Sequence, residues 1–519
     1  MKRLSFVLLL FTYMCSYAQT WKSVGSSPLS SGKTNYPSIV IDSNNLPYVA
    51  FLDEAAGTNA TVLHYSGSSW LPVGIPGFSG GIALYTSLAL DPYGVPYIVF
   101  SDGVNGYKAT VMKFDGSSWV VVGSVGFSAD VVNRTTIAID KNGMPYVAYI
   151  DGATGTYGTV MKYNGSAWIS VGGAGFSVGQ VDYPQIVLGK NDTPFVVFSD
   201  YNNSKKATVK KYDGSSWVFV GSPGFSAGQA DWTTIAKDTS GIPYVAFEDY
   251  GNGQQATVMK YSGGSWINVG SPGFSGGQAL CTKIAINKSS IPYVSFEDFS
   301  NSKKITVKTF AGGSWVTIGN AGFSGGESDA PDISIDTNGL PYVAYRDISD
   351  GRKAYIMSPE LLPIAGPDTV VACAGTTIRL TDGMSGGTWS SSNTAKATIS
   401  GGAVAGVDTG TVTITYSVTG LPVVTHKVKV MRCTVGLEHI DNSPTLSVFP
   451  NPANDGLNIS GVANNTDYRL MSVTGVAVGQ GVFRQGSNNI SMGSLVPGIY
   501  MLELTTARGE RKVVRVVKE

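Results

Sequence analysis

Charged side chains are scarce in this chain of 519 residues. Asp, Glu, Lys and Arg make up 14% of the sequence, whereas about a quarter is usual in globular proteins. Acidic and basic residues are balanced, with 36 of each sign. A balanced surface creates no field that attracts the phosphates of nucleic acid or of anionic lipid. We therefore expect no nucleic-acid partner.

Histidine and cysteine are rarer still, with three and four copies. His64, His426 and His439 fall in separate segments, and none has the spacing of a metal site such as H-E-x-x-H. Carboxylate pairs such as Glu248-Asp249 are adjacent in a predicted strand, so their side chains point to opposite faces. Such a pair is a poor acid–base couple for glycoside hydrolysis. The sequence predicts no metal, no cofactor and no enzymatic activity.

Long apolar runs are also missing. The most apolar segment is the N-terminus, where Lys2 and Arg3 precede the stretch Phe6–Phe11 and a small-x-small site at Ser16–Ala18. This pattern predicts a secretory signal peptide over residues 1–18. A membrane span needs about 20 apolar residues, and no segment provides them. We expect an exported chain with no integral membrane segment.

Glycine, in contrast, is abundant, with 65 copies, and much of it belongs to a repeat of 49 residues. Four residue types recur with that spacing and no slippage. They are Trp at 21, 70, 119, 168, 217, 266 and 315; Pro at 47, 96, 145, 194, 243, 292 and 341; Asp at 53, 102, 151, 200, 249, 298 and 347; and Gly at 25, 74, 123, 172, 221, 270 and 319. A strand-rich repeat of 40–50 residues is typical of a β-propeller, in which each repeat forms a blade of strands A to D.

The ends of the repeat region predict how the ring closes. The first Trp-containing strand, Trp21 to Gly25, precedes any strand A, and the last repeat, Asp332 to Met357, has no Trp-containing strand after it. We therefore expect the N-terminal strand to pair as strand D of the last blade, which removes the open edge. The prediction is an all-β, seven-bladed propeller over residues 19–358, followed by two small β-sandwich domains.

Residues present in every repeat are expected to serve the blade, because one ligand site needs only one copy. An Asp at the start of the B-to-C loop can accept backbone N–H bonds and fix the turn. A ring of carboxylates for metal or catalysis is the alternative. Similarly, a Gly-Phe-Ser segment recurs six times between strands D and A, from Gly77 to Ser324, and we interpret it as a plug between blades. The seven structural aspartates are Asp53, Asp102, Asp151, Asp200, Asp249, Asp298 and Asp347.

Ligand recognition is expected where the repeats differ, in the D-to-A and B-to-C loops that surround one mouth of the propeller. We place the variable column just before strand A. Aromatic planes beside Asp and Asn groups suit a sugar, whose C–H face stacks on a ring while its hydroxyls form hydrogen bonds; packing between loops is the alternative. The candidate ligand-binding residues are Tyr36, Tyr85, Arg134, Tyr183, Trp232, Asp182, Asp231, Tyr201 and Tyr250.

Residues 359–435 have a different composition, rich in Thr, Ser, Val and Gly. Cys373 and Cys433 bracket most of this segment and are the natural disulfide pair in an exported protein. The runs Thr388–Asn393, Gly402–Gly406 and Gly410–Tyr416 resemble the bacterial group 2 immunoglobulin-like domain. That resemblance implies a β-sandwich spacer or adhesion module with Trp389 in its core.

Residues 436–519 resemble a type A C-terminal sorting domain of type IX secretion. The matching segments are Leu446–Pro452, Tyr468–Gly475, Leu495–Tyr500 and the basic, β-branched ending Lys512–Lys518. The resemblance implies contact with the type IX secretion machinery and passage across the outer membrane to the cell surface or the medium.

Together these features predict a non-enzymatic secreted or cell-surface binding protein whose propeller recognises a glycan. Two alternatives remain: a protein-interaction scaffold of the cell envelope, with a surface protein as ligand, and a polysaccharide-degrading hydrolase.

Overall fold

The computed structural model describes residues 21–173, 175–373, 376–382, 387–432, 446–462, 465–484, 486–507, 509 and 511–519. The predicted signal peptide, residues 1–18, lies outside these ranges. No helix within them is long and apolar enough to cross a membrane. The chain divides into a first unit that ends at Met431 and a second that begins at Arg432.

The first unit begins with β1 (Trp21–Ser23), followed by 27 further propeller strands. We number the blades along the chain and name their strands A to D in chain order. Blade 1 comprises β2 (Thr34–Ile41), β3 (Pro47–Asp53), β4 (Asn59–Tyr65) and β5 (Trp70–Pro72); blade 2, β6 (Ala83–Leu90), β7 (Pro96–Asp102), β8 (Lys108–Phe114) and β9 (Trp119–Val121); blade 3, β10 (Val132–Ile139), β11 (Pro145–Asp151), β12 (Tyr157–Tyr163) and β13 (Trp168–Ser170); blade 4, β14 (Val181–Leu188), β15 (Pro194–Asp200), β16 (Lys206–Tyr212) and β17 (Trp217–Phe219); blade 5, β18 (Ala230–Lys237), β19 (Pro243–Asp249), β20 (Gln255–Ser262) and β21 (Ser265–Asn268); blade 6, β22 (Ala279–Ile286), β23 (Pro292–Asp298), β24 (Lys304–Ala311) and β25 (Ser314–Thr317); and blade 7, β26 (Ser328–Ile335), β27 (Pro341–Asp347), β28 (Lys353–Pro359) and β1.

Short 3-10 helices interrupt the loops of this unit. Those between strands B and C are Glu54–Ala56, Gly103–Asn105, Gly152–Thr154, Tyr201–Asn203, Tyr250–Asn252 and Phe299–Asn301, and a further one, Lys190–Asp192, joins β14 to β15.

The ring closes as predicted. Strand β1 pairs antiparallel with β28, with Trp21 opposite Pro359 and Ser23 opposite Met357. Seven four-stranded antiparallel sheets result, and the last contains strands from both ends of the repeat region. The seven-bladed all-β fold is confirmed.

The repeated tryptophans join each blade to the one before it. Every indole Nε1–H donates to a backbone carbonyl of the preceding blade's outer edge, over 2.6–2.9 Å. Trp119, for example, donates to Val73, and Trp21 donates to Ile318 across the closure. Five Gly-Phe-Ser phenylalanines stack on these indoles with interplanar angles of 12° or less, and one of them, Phe323, covers Trp21 at 4.0 Å. These linkers therefore pack between blades.

Strand A begins earlier than the sequence suggested. We expected the variable column to precede strand A, but in blade 5 β18 starts at Ala230, ahead of Trp232, and contains a β-bulge between Asp231 and Thr234. The same register shift occurs in strand A of all seven blades. The bulged residue has a left-handed φ of 48–53°, a conformation that short patterns of alternation do not reveal. The variable aromatic column consequently lies inside strand A rather than before it.

After the propeller, two sheets enclose a second core in the first unit. Their strands are β29 (Thr369–Ala372), β30 (Thr377–Arg379), β31 (Thr388–Ser391), β32 (Ala397–Ser400), β33 (Ala403–Gly406), β34 (Gly410–Ser417) and β35 (Val424–Arg432). The sheets have the orders β29-β35-β34-β31 and β30-β33-β32. Trp389 packs against their shared core and lies 4.6 Å from the Tyr416 ring. We call this part the middle domain.

The middle domain contacts blade 6 at the A-to-B end of that blade. The Tyr293 hydroxyl donates to the carbonyl of Gly420 over 2.8 Å, and Leu421 packs on the apolar cluster that contains Trp21. A Cβ atom on Gly420 would lie only 2.4 Å from Thr309 Cγ2, so only glycine fits there without a shift. Position 309 is lysine in blades 2 to 5, at Lys113, Lys162, Lys211 and Lys260. The smaller residue therefore leaves room for the next domain.

The second unit has its own core of Leu457, Leu470, Met492, Leu502 and Val516, all almost inaccessible. Its strands are β36 (Ser447–Phe449), β37 (Gly456–Val462), β38 (Thr466–Ser472), β39 (Ala477–Phe483), β40 (Gly486–Ser491), β41 (Gly498–Thr505) and β42 (Arg511–Lys518). They form sheets in the orders β36-β37-β40 and β39-β38-β41-β42.

Trp21 is 7% exposed, so its loss should leave a cavity and unpair the closing strand. We expect Trp21→Ala to lower the free energy of unfolding by about 3–5 kcal/mol, and removal of residues up to Gly25 to lower it further. Thermal or urea unfolding measures both. Lys22→Ala, a change on the exposed face of the same strand, is the control and should have little effect. An unchanged melting temperature in the truncated protein would contradict the shared blade.

Replacing Thr309 by the lysine of blades 2 to 5 should disturb the contact with the middle domain, because Thr309 is buried and packs close to Gly420. We expect Thr309→Lys to lower the free energy of unfolding by about 1–3 kcal/mol and to speed proteolysis after Pro359. Lys260→Thr in blade 5 is the matched control. Equal proteolysis rates for wild type and Thr309→Lys would show that this contact does not hold the domain.

Candidate functional site

The variable column lines a central cavity of about 500 Å³. At each bulge, the left-handed backbone turns one side chain of strand A toward the channel. The seven residues at this position are Tyr36, Tyr85, Arg134, Tyr183, Trp232, Cys281 and Ala330. We call the end of the channel where they lie the mouth; the D-to-A linkers and B-to-C loops lie at the same end.

Blades 1 and 2 contribute a pair of tyrosines to the mouth. The Tyr36 and Tyr85 rings are 4.8 Å apart and tilted by 43°, and both are half-buried. Burial raises the pKa of Tyr36, and the neighbouring Tyr85 raises it further by a smaller amount. The Tyr36 hydroxyl therefore stays protonated at neutral pH, when it can donate and accept hydrogen bonds.

Blades 3, 4 and 5 contribute a triangular cluster of three side chains. The guanidinium carbon of Arg134 lies 4.0 Å from the centroid of the Tyr183 ring and 5.4 Å from that of Trp232. The Tyr183 and Trp232 rings are themselves 4.7 Å apart and tilted by 46°. Arg134 is held by Asp182, with Nε and Oδ1 2.6 Å apart. The cluster is half-buried, so part of its aromatic surface faces the channel.

Arg346 is a mouth residue that the sequence analysis missed. It comes from strand B of blade 7 and reaches the cavity, where its Nε donates to Asp329 Oδ1 over 2.6 Å and its Nη1 donates to Asn35. The sequence marks Arg346 as unusual when the residues that directly precede the repeated Asp are compared among the seven blades. This column of residues reads Leu52, Ser101, Ile150, Ser199, Glu248, Glu297 and Arg346, and charges in an otherwise apolar strand are unusual.

Two carboxyls of that column, Glu248 and Glu297, are buried at 1% and 6% exposure. Burial raises the pKa of each to about 7. The proximity of Asp231 adds to the shift at Glu248, and Asp329 adds to the shift at Glu297. Gln278 partly compensates by donating to Glu248 over 3.0 Å. Burial, and then Glu297, also raises the pKa of the Cys281 thiol to about 12, so this free cysteine remains an unreactive thiol at neutral pH.

The remaining candidates lie around the mouth rather than on the cavity wall. Asp231 accepts from Gln229 Nε2 over 3.0 Å and interacts with the Tyr250 hydroxyl. Tyr201 begins the 3-10 helix of blade 4, and Lys205 lies 4.8 Å over its ring. One cavity is thus lined by Tyr36, Tyr85, Arg134, Tyr183 and Trp232. Asp182 contacts Arg134, and Asp231 contacts Tyr250. Tyr201 and Tyr250 lie on the rim.

The seven repeated aspartates are engaged within their own blades. In blades 1 to 6, Oδ1 accepts from the backbone N–H two residues later, and Oδ2 accepts from a Thr hydroxyl or an Asn amide of the same blade. In blade 7, Asp347 accepts from the backbone of Asp350. These carboxylates therefore fix the B-to-C turn.

Five of the Gly-Phe-Ser segments also match the G-x-S-x-G pattern of hydrolase nucleophiles. Their serines have structural partners instead. Ser226, for example, is buried, donates to the Gly228 carbonyl over 2.7 Å and accepts from the Ala207 N–H over 3.0 Å. With its oxygen committed to the backbone, this serine is not activated for nucleophilic attack.

Two further predictions concern cysteines and metals. Cys373 is disulfide-bonded, but its predicted partner, Cys433, lies outside the described residues, so the pairing stays a prediction. In the parts of the chain that the structure describes, no group of three or more His, Cys, Asp and Glu side chains could hold a metal ion.

Residues 447–519 match the family described as "Secretion system C-terminal sorting domain". The protein is secreted across the outer membrane. Its destination is the cell surface or the medium, and the match implies contact with the type IX secretion machinery. No curated protein matches the chain.

Solved structures with a similar fold share little sequence with this chain. A protein of unknown function from Dyadobacter fermentans is 12% identical, with 66% of this chain and 97% of that one covered and a TM-score of 0.39. PorZ, a surface component of the type IX secretion system of Porphyromonas gingivalis, is 14% identical, with 94% and 60% covered and a TM-score of 0.41. The SapL1 lectin, solved with alpha methyl fucoside, is 16% identical, with 56% and 97% covered and a TM-score of 0.37. We transfer no ligand from these similarities.

The raised pKa values of Glu248 and Glu297 predict a pH-dependent stability. Each carboxyl binds its proton more tightly in the folded chain, at a pKa of about 7, than in the unfolded chain, near 4.5. Their ionisation therefore destabilises the fold as the pH rises from 4.5 to 7. We expect Glu248→Gln and Glu297→Gln to raise the melting temperature relative to wild type at pH 8, and to lose most of that advantage by pH 5 and the rest below pH 4.5. Glu54→Gln, at an exposed turn, is the control. A pH-independent difference would contradict these pKa shifts.

Proposed function

We propose that this secreted protein is a non-enzymatic binding protein whose propeller mouth recognises a saccharide. The observation that carries the proposal is the shared cavity of Tyr36, Tyr85, Arg134, Tyr183 and Trp232, of about 500 Å³. Ligand pockets are usually about 300–1,000 Å³. The cavity therefore has room for a short sugar segment.

The chemistry of the wall supports a saccharide in particular. Aromatic rings present flat surfaces for the C–H faces of a sugar. Tyr hydroxyls, the Arg134 guanidinium and the Asp182 carboxylate supply donors and acceptors for its hydroxyl groups. Arg134 and Arg346, the arginines on the cavity wall, are both paired with carboxylates, so neither guanidinium is free to select an anion. We infer a neutral saccharide.

The middle domain, which we infer to be immunoglobulin-like, serves as a spacer in this proposal. Its contact with blade 6 lies at the A-to-B end, away from the mouth. The mouth thus stays accessible while the domain is docked.

A hydrolase is the second candidate, because Glu248 and Glu297 have pKa values near neutrality, as a general acid needs. Against it, both carboxyls are buried and neither lines the cavity. Release of reducing sugars from polysaccharides by the wild type, and its loss in Glu248→Gln or Glu297→Gln, would establish hydrolysis.

A glycan array probed with the mature chain tests the proposal. We expect Trp232→Ala and Tyr183→Ala each to weaken retention about tenfold or more, since a stacked aromatic ring contributes about 1–2 kcal/mol. Alanine fits at this position, because Ala330 has the same bulged conformation in blade 7, with φ 49°. An unchanged melting temperature would show that the fold is intact. Full retention by both variants would place the site elsewhere, and no retention by wild type would favour the protein-interaction scaffold.

A further inference from the structure

A second cavity, of about 550 Å³, lies between blades 1 and 2. Its wall includes the A-to-B turn and the C-to-D turn of blade 2, together with Tyr48 and His64 of blade 1. These turns lie at the end of the blades opposite the mouth, because strands A to D run alternately up and down. We call this cavity the lower cleft. The proposed saccharide site at the mouth shares none of its residues.

Two wall residues of the lower cleft depart from the repeat. The first is Tyr93, in the A-to-B turn of blade 2. The other blades have a small polar residue at this position: Asn44, Asn142, Asn191, Ser240, Ser289 and Asn338. The blade itself therefore does not need an aromatic ring there.

Tyr93 is 83% exposed, so its ring does not fill a gap in the protein. Its backbone is nevertheless held in place, because Asp91 Oδ1 accepts from the N–H groups of Tyr93 and Val95 over 2.8 and 2.9 Å. Tyr93 shares the cavity wall with Tyr48 and with the polar side chains of Asp91, His64 and Lys113. A concave surface that combines aromatic rings with a few polar groups is typical of a ligand site.

The second departure is His64, which stands where blades 2 to 5 have lysine. Its imidazole stacks on Tyr48, with ring centroids 5.4 Å apart. In blade 3 the corresponding lysine is engaged within its own blade, because Lys162 Nζ reaches Asp140 Oδ2 over 3.2 Å and the Tyr146 hydroxyl over 2.7 Å. His64 is shorter than lysine, and its imidazole lines the lower cleft.

The polar groups of the cleft are also available. Oδ2 of Asp91 has no hydrogen-bond partner among the described residues. Lys113, which could have paired with it as Lys162 does with Asp140, instead lies 5.9 Å over the Tyr97 ring. A carboxylate oxygen, an imidazole and an ammonium group therefore surround the aromatic surfaces of Tyr93 and Tyr48.

We propose that the lower cleft is a second saccharide-binding site, independent of the mouth. A sugar ring stacks on Tyr93, and its hydroxyls bond to Asp91, His64 and Lys113. The aspartates Asp91 and Asp115 outnumber the single lysine, so the cleft disfavours anionic sugars and takes a neutral one. The identity of the ligand class follows from flat aromatic surface beside mixed donors and acceptors.

The repeat supplies substitutions that restore the ordinary blade. Tyr93→Asn and His64→Lys introduce residues that other blades carry at the same positions, so the fold should be kept. The mature chain is tested on an array of neutral oligosaccharides, and each hit is followed by titration. We expect a set of glycans whose affinity falls at least tenfold in Tyr93→Asn and in His64→Lys, while Trp232→Ala leaves that set unchanged. Asn142→Ala, at the same turn position in blade 3, is the matched control and should change nothing.

Several results would overturn the second site. One is that both variants, Tyr93→Asn and His64→Lys, keep the wild-type melting temperature and the wild-type affinity for every neutral glycan on the array. A wild-type protein that retains no glycan at all would overturn the proposal as well. Another is a glycan set lost equally in Trp232→Ala, which would indicate only the mouth. A peptide or protein ligand that depends on Tyr93 would replace the saccharide. Failure of the mouth variants alone leaves this proposal standing.

Discussion

The structure depends on one repeated hydrogen bond. Each blade donates an indole N–H to the outer edge of the blade before it, and Trp21 repeats that bond to Ile318 across the junction of the chain ends. In a propeller every blade has two neighbours only if the ring closes, and the pairing of β1 with β28 completes the last blade here. Phe323 stacks on the same indole. The channel and its mouth exist only in the closed ring.

In the closed ring, the positions that are constant among the seven repeats have a different role from those that vary. The repeated Trp, Phe and Asp side chains make contacts between and within blades, as in Asp53, whose two carboxylate oxygens accept from Ala55 and Thr61. The bulge in strand A is equally constant in backbone, with φ 48–53° in every blade, yet its side chain varies freely. One backbone device therefore directs seven different side chains into one space. The backbone is therefore nearly the same in all blades, and the side chains that differ between blades determine the chemistry of the cavity.

Much of this was predictable from the sequence. The spacing of the tryptophans gave the number of blades, and the unmatched ends gave the closure, because both follow from counting. The bulge was not predictable, because Tyr183 and Trp232 do not visibly interrupt the alternation of apolar and polar residues along the strand. Arg346 was overlooked because it belongs to strand B and reaches the mouth only through the three-dimensional neighbourhood of Asp329. Likewise, Tyr93 and His64 are 29 residues apart in the chain, and only the packing of adjacent blades brings them to one cleft.

The docking of the middle domain on blade 6 has a mechanical consequence. Tyr293 bonds to Gly420, and Leu421 packs into the cluster that contains the closing Trp21. A middle domain on a free tether could rotate without disturbing the propeller. Here a force on the middle domain is carried by blade 6 and by the cluster around Trp21 that belongs to the closing blade.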